Sequence, residues 1–154
     1  MPDLIQFDET ISYMLAKVTT AFRNALERHM AIIGLHGGQI FVLLELWNED
    51  GLRQIDLAKR LDLAAPTINK MLRGMAQIRL VIVSGSDEDD KRSKRVFLTP
   101  QGVEMRHKVE RQWVELEGEC LAGLTETERL VLFEVLGKLR STYTGRVGAD
   151  EDDL

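Results

Sequence analysis

The stretch from Arg53 to Thr99 constrains the fold more tightly than any other. Ile55, Leu57, Ala58 and Leu61 keep the spacing of a short helix of about two turns. A turn over Asp62 to Ala65 leads to Pro66, a residue suited to the first position of a further helix. In that helix Ile68, Met71, Leu72 and Met75 fall on one side, leaving Thr67, Asn69, Lys70, Arg73 and Gln77 toward solvent. The period then changes. Leu80 to Val83 is a short β-branched run, Ser84 to Lys94 a glycine-containing charged loop, and Arg95 to Leu98 a second strand. A hairpin is the simplest way to join two such strands.

Longer helices flank this stretch. Ile11, Leu15, Val18, Phe22, Ala25, Leu26 and Met30 recur at three- and four-residue steps, and Ile40 to Trp47 form a shorter helix that stops before Asp50-Gly51. Thr99-Pro100 supplies an N-cap and a proline at the first position of a helix carrying Met105, Val109, Trp113, Leu116 and Cys120. Thr125 to Glu128 is a capping box opening a last helix through Leu132, Val135, Leu136, Leu139 and Tyr143. The expected architecture is therefore mainly α with a small β-hairpin wing: a winged helix-turn-helix at 36–99 between helical regions at 1–35 and 100–145, and an acidic, disordered tail at 146–154.

At 154 residues the chain is long enough for one sizeable core without disulfides or a metal. Its 44% hydrophobic and 29% charged residues exclude collagen-like, wholly disordered and multi-span membrane classes. The longest apolar run, Met30 to Leu35, is too short for a bilayer, and the start lacks a basic region followed by an apolar signal segment. With a single cysteine, Cys120, these features point to the cytoplasm and away from any membrane.

The net charge of −5 argues against a polyanionic partner until its distribution is considered. Residues 53–99 hold ten Lys or Arg against six acids, a balance of +4; the remainder holds ten against nineteen, a balance of −9. A basic module on an acidic scaffold fits double-stranded DNA, with the second short helix entering the major groove. Thr67 and Asn69 suit hydrogen bonds to phosphate or base edges, Lys70 and Arg73 add charge, and Asn69 and Lys70 are the candidates for sequence readout. In the hairpin loop, Asp90 two positions before Arg92 is placed to hold the guanidinium for a narrow minor groove. The same residues also fit a solvated hairpin whose charges merely protect an exposed edge, so residue chemistry alone leaves both readings open.

These motifs, taken together and in order, resemble the MarR family of transcription regulators, which are compact winged-helix homodimers. The resemblance is concentrated in Gln54 to Gly102. It is carried by Asp56-Leu57-Ala58-Lys59-Arg60-Leu61, by Pro66-Thr67-Ile68-Asn69-Lys70, and by Asp90-Lys91-Arg92-Ser93 through Val96-Phe97-Leu98-Thr99-Pro100-Gln101-Gly102. It implies major-groove roles for Thr67, Asn69 and Lys70, with Arg73 and Lys94 adding to the DNA-binding set, and a minor-groove role for Asp90 and Arg92. This chain departs from the family in carrying Arg79 where glycine is usual, Val83 where arginine is usual, and His36 and Arg53 at helix starts that favour Ser or Thr.

The resemblance further implies a homodimer through the terminal helices, whose large residues a small winged domain cannot cover; an intramolecular bundle is the alternative. A two-fold dimer calls for a pseudo-palindromic operator with half-sites about 10 to 10.5 base pairs apart. It also implies a small aromatic or phenolic effector between the helical and winged regions, with Tyr13, Lys17, Trp47, Arg106 and Trp113 as candidate lining and repression relieved by the ligand. The helical phase of Cys120 predicts an apolar site unsuited to redox sensing. His29, His36 and His107 show no paired metal-ligand spacing and read as surface or capping residues. Neither a metal nor a cofactor is expected, and the absence of a phosphate-binding glycine loop, a Gly-x-Ser-x-Gly elbow or a His-Glu-x-x-His helix argues against an enzyme. A winged-helix adaptor that binds protein instead of DNA is the competing function.

Overall fold

The structure, a computed structural model, describes residues 4–85 and 94–147. A 3-10 turn (Phe7–Glu9) precedes α1 (Ile11–Ile32) and α2 (Gln39–Asn48). Then follow β1 (Leu52–Arg53), α3 (Gln54–Arg60), α4 (Ala65–Gln77), β2 (Val81–Ser84), β3 (Arg95–Leu98), α5 (Pro100–Leu121) and α6 (Glu126–Val147). The expected helix order and hairpin are present. Asp90, Arg92 and residues 148–154 lie outside the described residues; the tail expected from 146 begins later than that, because α6 runs on to Val147.

The sheet is antiparallel with strand order β1-β3-β2. Val81 faces Leu98 and Ser84 faces Arg95 across the hairpin, while Leu52 faces Val96 on the other edge of β3. The short third strand was not expected: two residues are too few to display a period. It is fastened by Asp50, whose Oδ1 accepts from the Leu98 N–H at 2.8 Å, and by Arg95, whose Nη1 donates to the Gly51 carbonyl at 2.8 Å.

Met1–Leu116 and Glu117–Leu154 form two compact units. In the first, α1 contributes Leu26 and Met30, α2 contributes Ile40, Leu43 and Leu46, and α3 and α4 contribute Leu57, Ile68, Leu72 and Met75 to one core. Leu80, Val81 and Val96 close it from the sheet, and Met105, Val109 and Leu116 from α5. Each fully buried side chain of this size contributes about 1.5 to 3 kcal/mol, enough to hold short helices that would not persist alone.

Local signals account for the helix ends. The Thr125 capping box is complete: Thr125 N–H donates to Glu128 Oε2 at 2.8 Å, and Glu128 N–H donates to Thr125 Oγ1 at 3.2 Å. The bond from the Thr125 backbone N–H, and second a 3.1 Å bond that the Thr125 hydroxyl donates to Glu128 Oε2, hold the Glu128 carboxyl below its ordinary pKa. At α2 the expectation needs correcting, because the N-cap is Gly38 at φ +79°, two residues beyond His36. Gln39 compensates, its Oε1 accepting from the His36 N–H at 3.1 Å.

Candidate nucleic-acid interface

Of the two short helices, α4 carries the surface expected to meet DNA. Ile68, Leu72 and Met75 are buried, which turns Thr67, Lys70, Arg73 and Gln77 outward on one exposed face. Arg53, expected to be a poor start for α3, caps that helix without a side-chain bond to the backbone. It is instead paired two-pronged with Asp56, Nε to Oδ2 at 2.7 Å and Nη2 to Oδ1 at 3.1 Å. That hydrogen bonding lowers the Asp56 pKa; desolvation opposes it, and the charges of Arg53, Lys59 and Arg60 add to it. At the other end of α3, Arg60 reaches Glu49 at 2.6 Å and Glu45 at 3.3 Å, tying the helix to α2.

One residue departs from the expected exposure. Asn69 is half-buried at the edge of the outward face, and its Oδ1 accepts a hydrogen bond from Nε2 of Gln54. Gln54 is only 6% exposed, and its backbone N–H donates to the Lys94 carbonyl at 2.8 Å. The root of the wing and the recognition helix thus meet at one side chain. Gln54 was not singled out from the sequence, although it occupies the core phase of Leu57, Ala58 and Leu61, where a polar residue signals a required partner.

Arg79 bears out the departure that the sequence comparison raised. It adopts φ +61°, the conformation that normally favours glycine, immediately before β2. Lys94, at the foot of β3, is half-buried.

The candidate effector residues are engaged within the chain. Trp47 Nε1 donates to the Gly102 carbonyl at 3.0 Å, joining α2 to α5, and Arg106 pairs with Glu110 at 2.9 Å. Lys17 Nζ lies 5.4 Å from the Tyr13 ring centroid, and Trp113 packs against the core. A cavity of about 660 Å³ opens elsewhere, between α1, α2 and the α3–α4 pair, lined by Arg23, Glu27, His36, Phe41, Arg60 and Met71 among others. None of the five candidates lines it.

Two smaller expectations are corrected. Cys120 is exposed, because Leu116 is the last buried residue of α5 and the helix runs on past the core. His29 is buried, with Nδ1 3.0 Å from Gln112 Oε1. Among the described residues no group of three or more His, Cys, Asp or Glu side chains is gathered as a metal site, and no helix is long and apolar enough to cross a membrane.

Residues 35–94, the span holding the helix-turn-helix and the root of the wing, match the MarR family model. Over that span the chain resembles the MarR family. Among its relatives is the HTH-type transcriptional regulator TtmR of Methylorubrum extorquens, 27% identical over 144 residues, covering 94% of this chain and 72% of that protein. Bordetella bronchiseptica BpsR, solved in a study of how 6-hydroxynicotinic acid regulates its DNA binding, superposes with a TM-score of 0.76 at 20% identity, covering 90% of this chain and 99% of that one. Staphylococcus aureus MepR, solved bound to DNA, gives 0.69 at 24% identity, covering 88% and 98%. These two likenesses show that the chain has the same winged-helix fold. The relatives that the chain resembles in sequence are themselves named as HTH-type transcriptional regulators.

Proposed function

We propose that this chain is a cytoplasmic repressor that binds a pseudo-palindromic operator in double-stranded DNA as a homodimer and is released by a small aromatic or phenolic effector. The observation that carries the reading is the two-sidedness of α4: one face is locked into the core, and the other offers Thr67, Lys70 and Arg73 to a groove. Residues 36–99 would form the DNA-binding region, and 1–35 with 100–145 the dimerisation region. Asp90 and Arg92 would act in the minor groove, with Lys94 at the wing's root adding charge. That MepR has been solved on DNA and BpsR is regulated by 6-hydroxynicotinic acid supports both halves of the reading.

Dimerisation is supported by α6. Leu130, Val131, Leu132, Phe133, Val135 and Leu136 surround this helix on every side, yet Leu130 is 69% and Phe133 84% exposed in the single chain. A helical stretch with apolar side chains on every side favours burial, and a second copy would supply it.

The deciding experiment selects duplexes from a random pool and titrates the best binder at several salt concentrations. Affinity should fall steeply with salt as condensed counterions are released. If the chain ignores every duplex even at very low ionic strength, the proposal is wrong.

A further inference from the structure

We propose that Gln54 is a positioning residue for operator readout: it holds the Asn69 amide with oxygen inward and nitrogen outward. Asn69 then recognises a hydrogen-bond acceptor on the duplex and does not make the two-pronged contact to adenine. This inference rests on the DNA-binding reading above and assigns one base preference within it.

The geometry begins with Gln54, which cannot turn to water. It sits at the first position of α3 with its side chain buried, so its amide must be satisfied inside the protein. Its Nε2 donates to Asn69 Oδ1, fifteen positions along the chain and on the next helix. Its main chain is equally restrained: the N–H is held by Lys94, and the preceding Arg53 is paired with Arg95 in the sheet and with Asp56 in the helix. The main chain that carries the Gln54 donor is therefore fixed by the scaffold.

Asn69 has little freedom to respond. Ile68 and Leu72 beside it are buried, while Lys70 and Arg73 point outward, so its own side chain spans the boundary between core and groove. An amide is planar, with its oxygen and nitrogen on opposite prongs. With Oδ1 occupied by Gln54, Nδ2 and its two hydrogens are the prong left for DNA.

Adenine is read bidentately only when one asparagine accepts from N6 and donates to N7 at the same time. A donor alone matches guanine N7 or O6, thymine O4 or adenine N7, and is refused only by cytosine, which presents a donor there. The adenine preference that the residue type suggests is thus replaced by discrimination against cytosine, through a neighbour that the recognition helix does not contain.

The test applies duplex selection to the full chain, to Gln54→Met, which keeps the side chain's length but removes the donor, and to Asn69→Asp, which cannot donate. The parent should select against cytosine, without singling out adenine, at one position in each half-site. Gln54→Met should lose about 5- to 100-fold of that discrimination, the range associated with a well-placed base contact, while leaving the salt dependence unchanged. Asn69→Asp should move the preference to cytosine or adenine, whose exocyclic amines donate. In an Asn69→Ala background, Gln54→Met should cause no further change in base preference. Unaltered selectivity in Gln54→Met, or a further change in that background, would overturn the positioning role while DNA binding stood. Failure of the parent to select any duplex would overturn both.

Discussion

Thr99 Oγ1 donates a 2.5 Å hydrogen bond to the carbonyl of Arg79 and accepts a 3.0 Å bond from the N–H of Gly102. One hydroxyl therefore fastens the left-handed turn before β2 to the first turn of α5. The Thr99 N–H adds a bond to the Leu80 carbonyl at 3.1 Å. Arg79 is held at φ +61° by this clasp, not by any preference of its own.

Relieving that conformation gives the first prediction. Arg79→Gly removes the steric cost of a left-handed residue but adds chain entropy to the unfolded state, so the net change should lie between zero and about +1 kcal/mol of stability. Arg79→Val, β-branched at positive φ, should be clearly destabilising. Denaturant unfolding of both variants checks the order; a glycine variant less stable than the valine one would refute it.

Gly102 responds in the opposite direction. A Cβ there would lie 2.1 Å from the Leu80 carbonyl oxygen, and the Gly102 carbonyl accepts from Trp47. Gly102→Ala must displace the start of α5 from the sheet and should cost about 1 to 3 kcal/mol, with a change in tryptophan fluorescence as the Trp47 bond is disturbed. Unchanged unfolding and emission would contradict this packing.

For the DNA-binding face, Lys70→Ala and Arg92→Ala should each weaken operator binding. Each phosphate contact removed should lower the slope of log affinity against log salt by about 1. Titrations at four or more salt concentrations measure this. If both variants bind as the parent does, the assigned surface is incorrect even though the fold stands.

The uncovered α6 makes a prediction about assembly. Phe133→Glu places a charge on the most exposed aromatic of that helix and should shift the chain from dimer toward monomer in sedimentation at micromolar concentration. A parent chain that sediments only as monomer would remove the basis for two half-sites.

Acid should loosen two helix starts. Asp56 and Glu128 both have folded-state pKa values below their ordinary ones, Asp56 chiefly through its bond from Arg53 and Glu128 chiefly through the Thr125 backbone. Their contribution is present above the unfolded carboxylate pKa, about 4, and is lost as pH falls through the lower folded values. Thermal melting between neutral pH and pH of about 3 should show a shallower acid decline in an Asp56→Asn, Glu128→Gln double variant than in the parent. Parallel declines would mean that other carboxylates dominate.

Much of this molecule could be read along the chain, because helix period, caps and strand alternation are properties of neighbours a few residues apart. Ile68, Leu72 and Met75 defined the inner face of α4, and Thr125 with Glu128 the start of α6, before any distant contact was known. The outward placement of Thr67, Lys70 and Arg73 followed from that period. The tertiary structure decided what depends on remote partners: β1 exists because Leu52 and Arg53 meet β3, and His29 is buried against Gln112. Cys120 is exposed because the core ends at Leu116. The orientation of the Asn69 amide belongs to this second group. A side chain's residue type states which hydrogen bonds it can make, but only the arrival of Gln54 from another helix selects the one made inside the protein and leaves the other for a ligand.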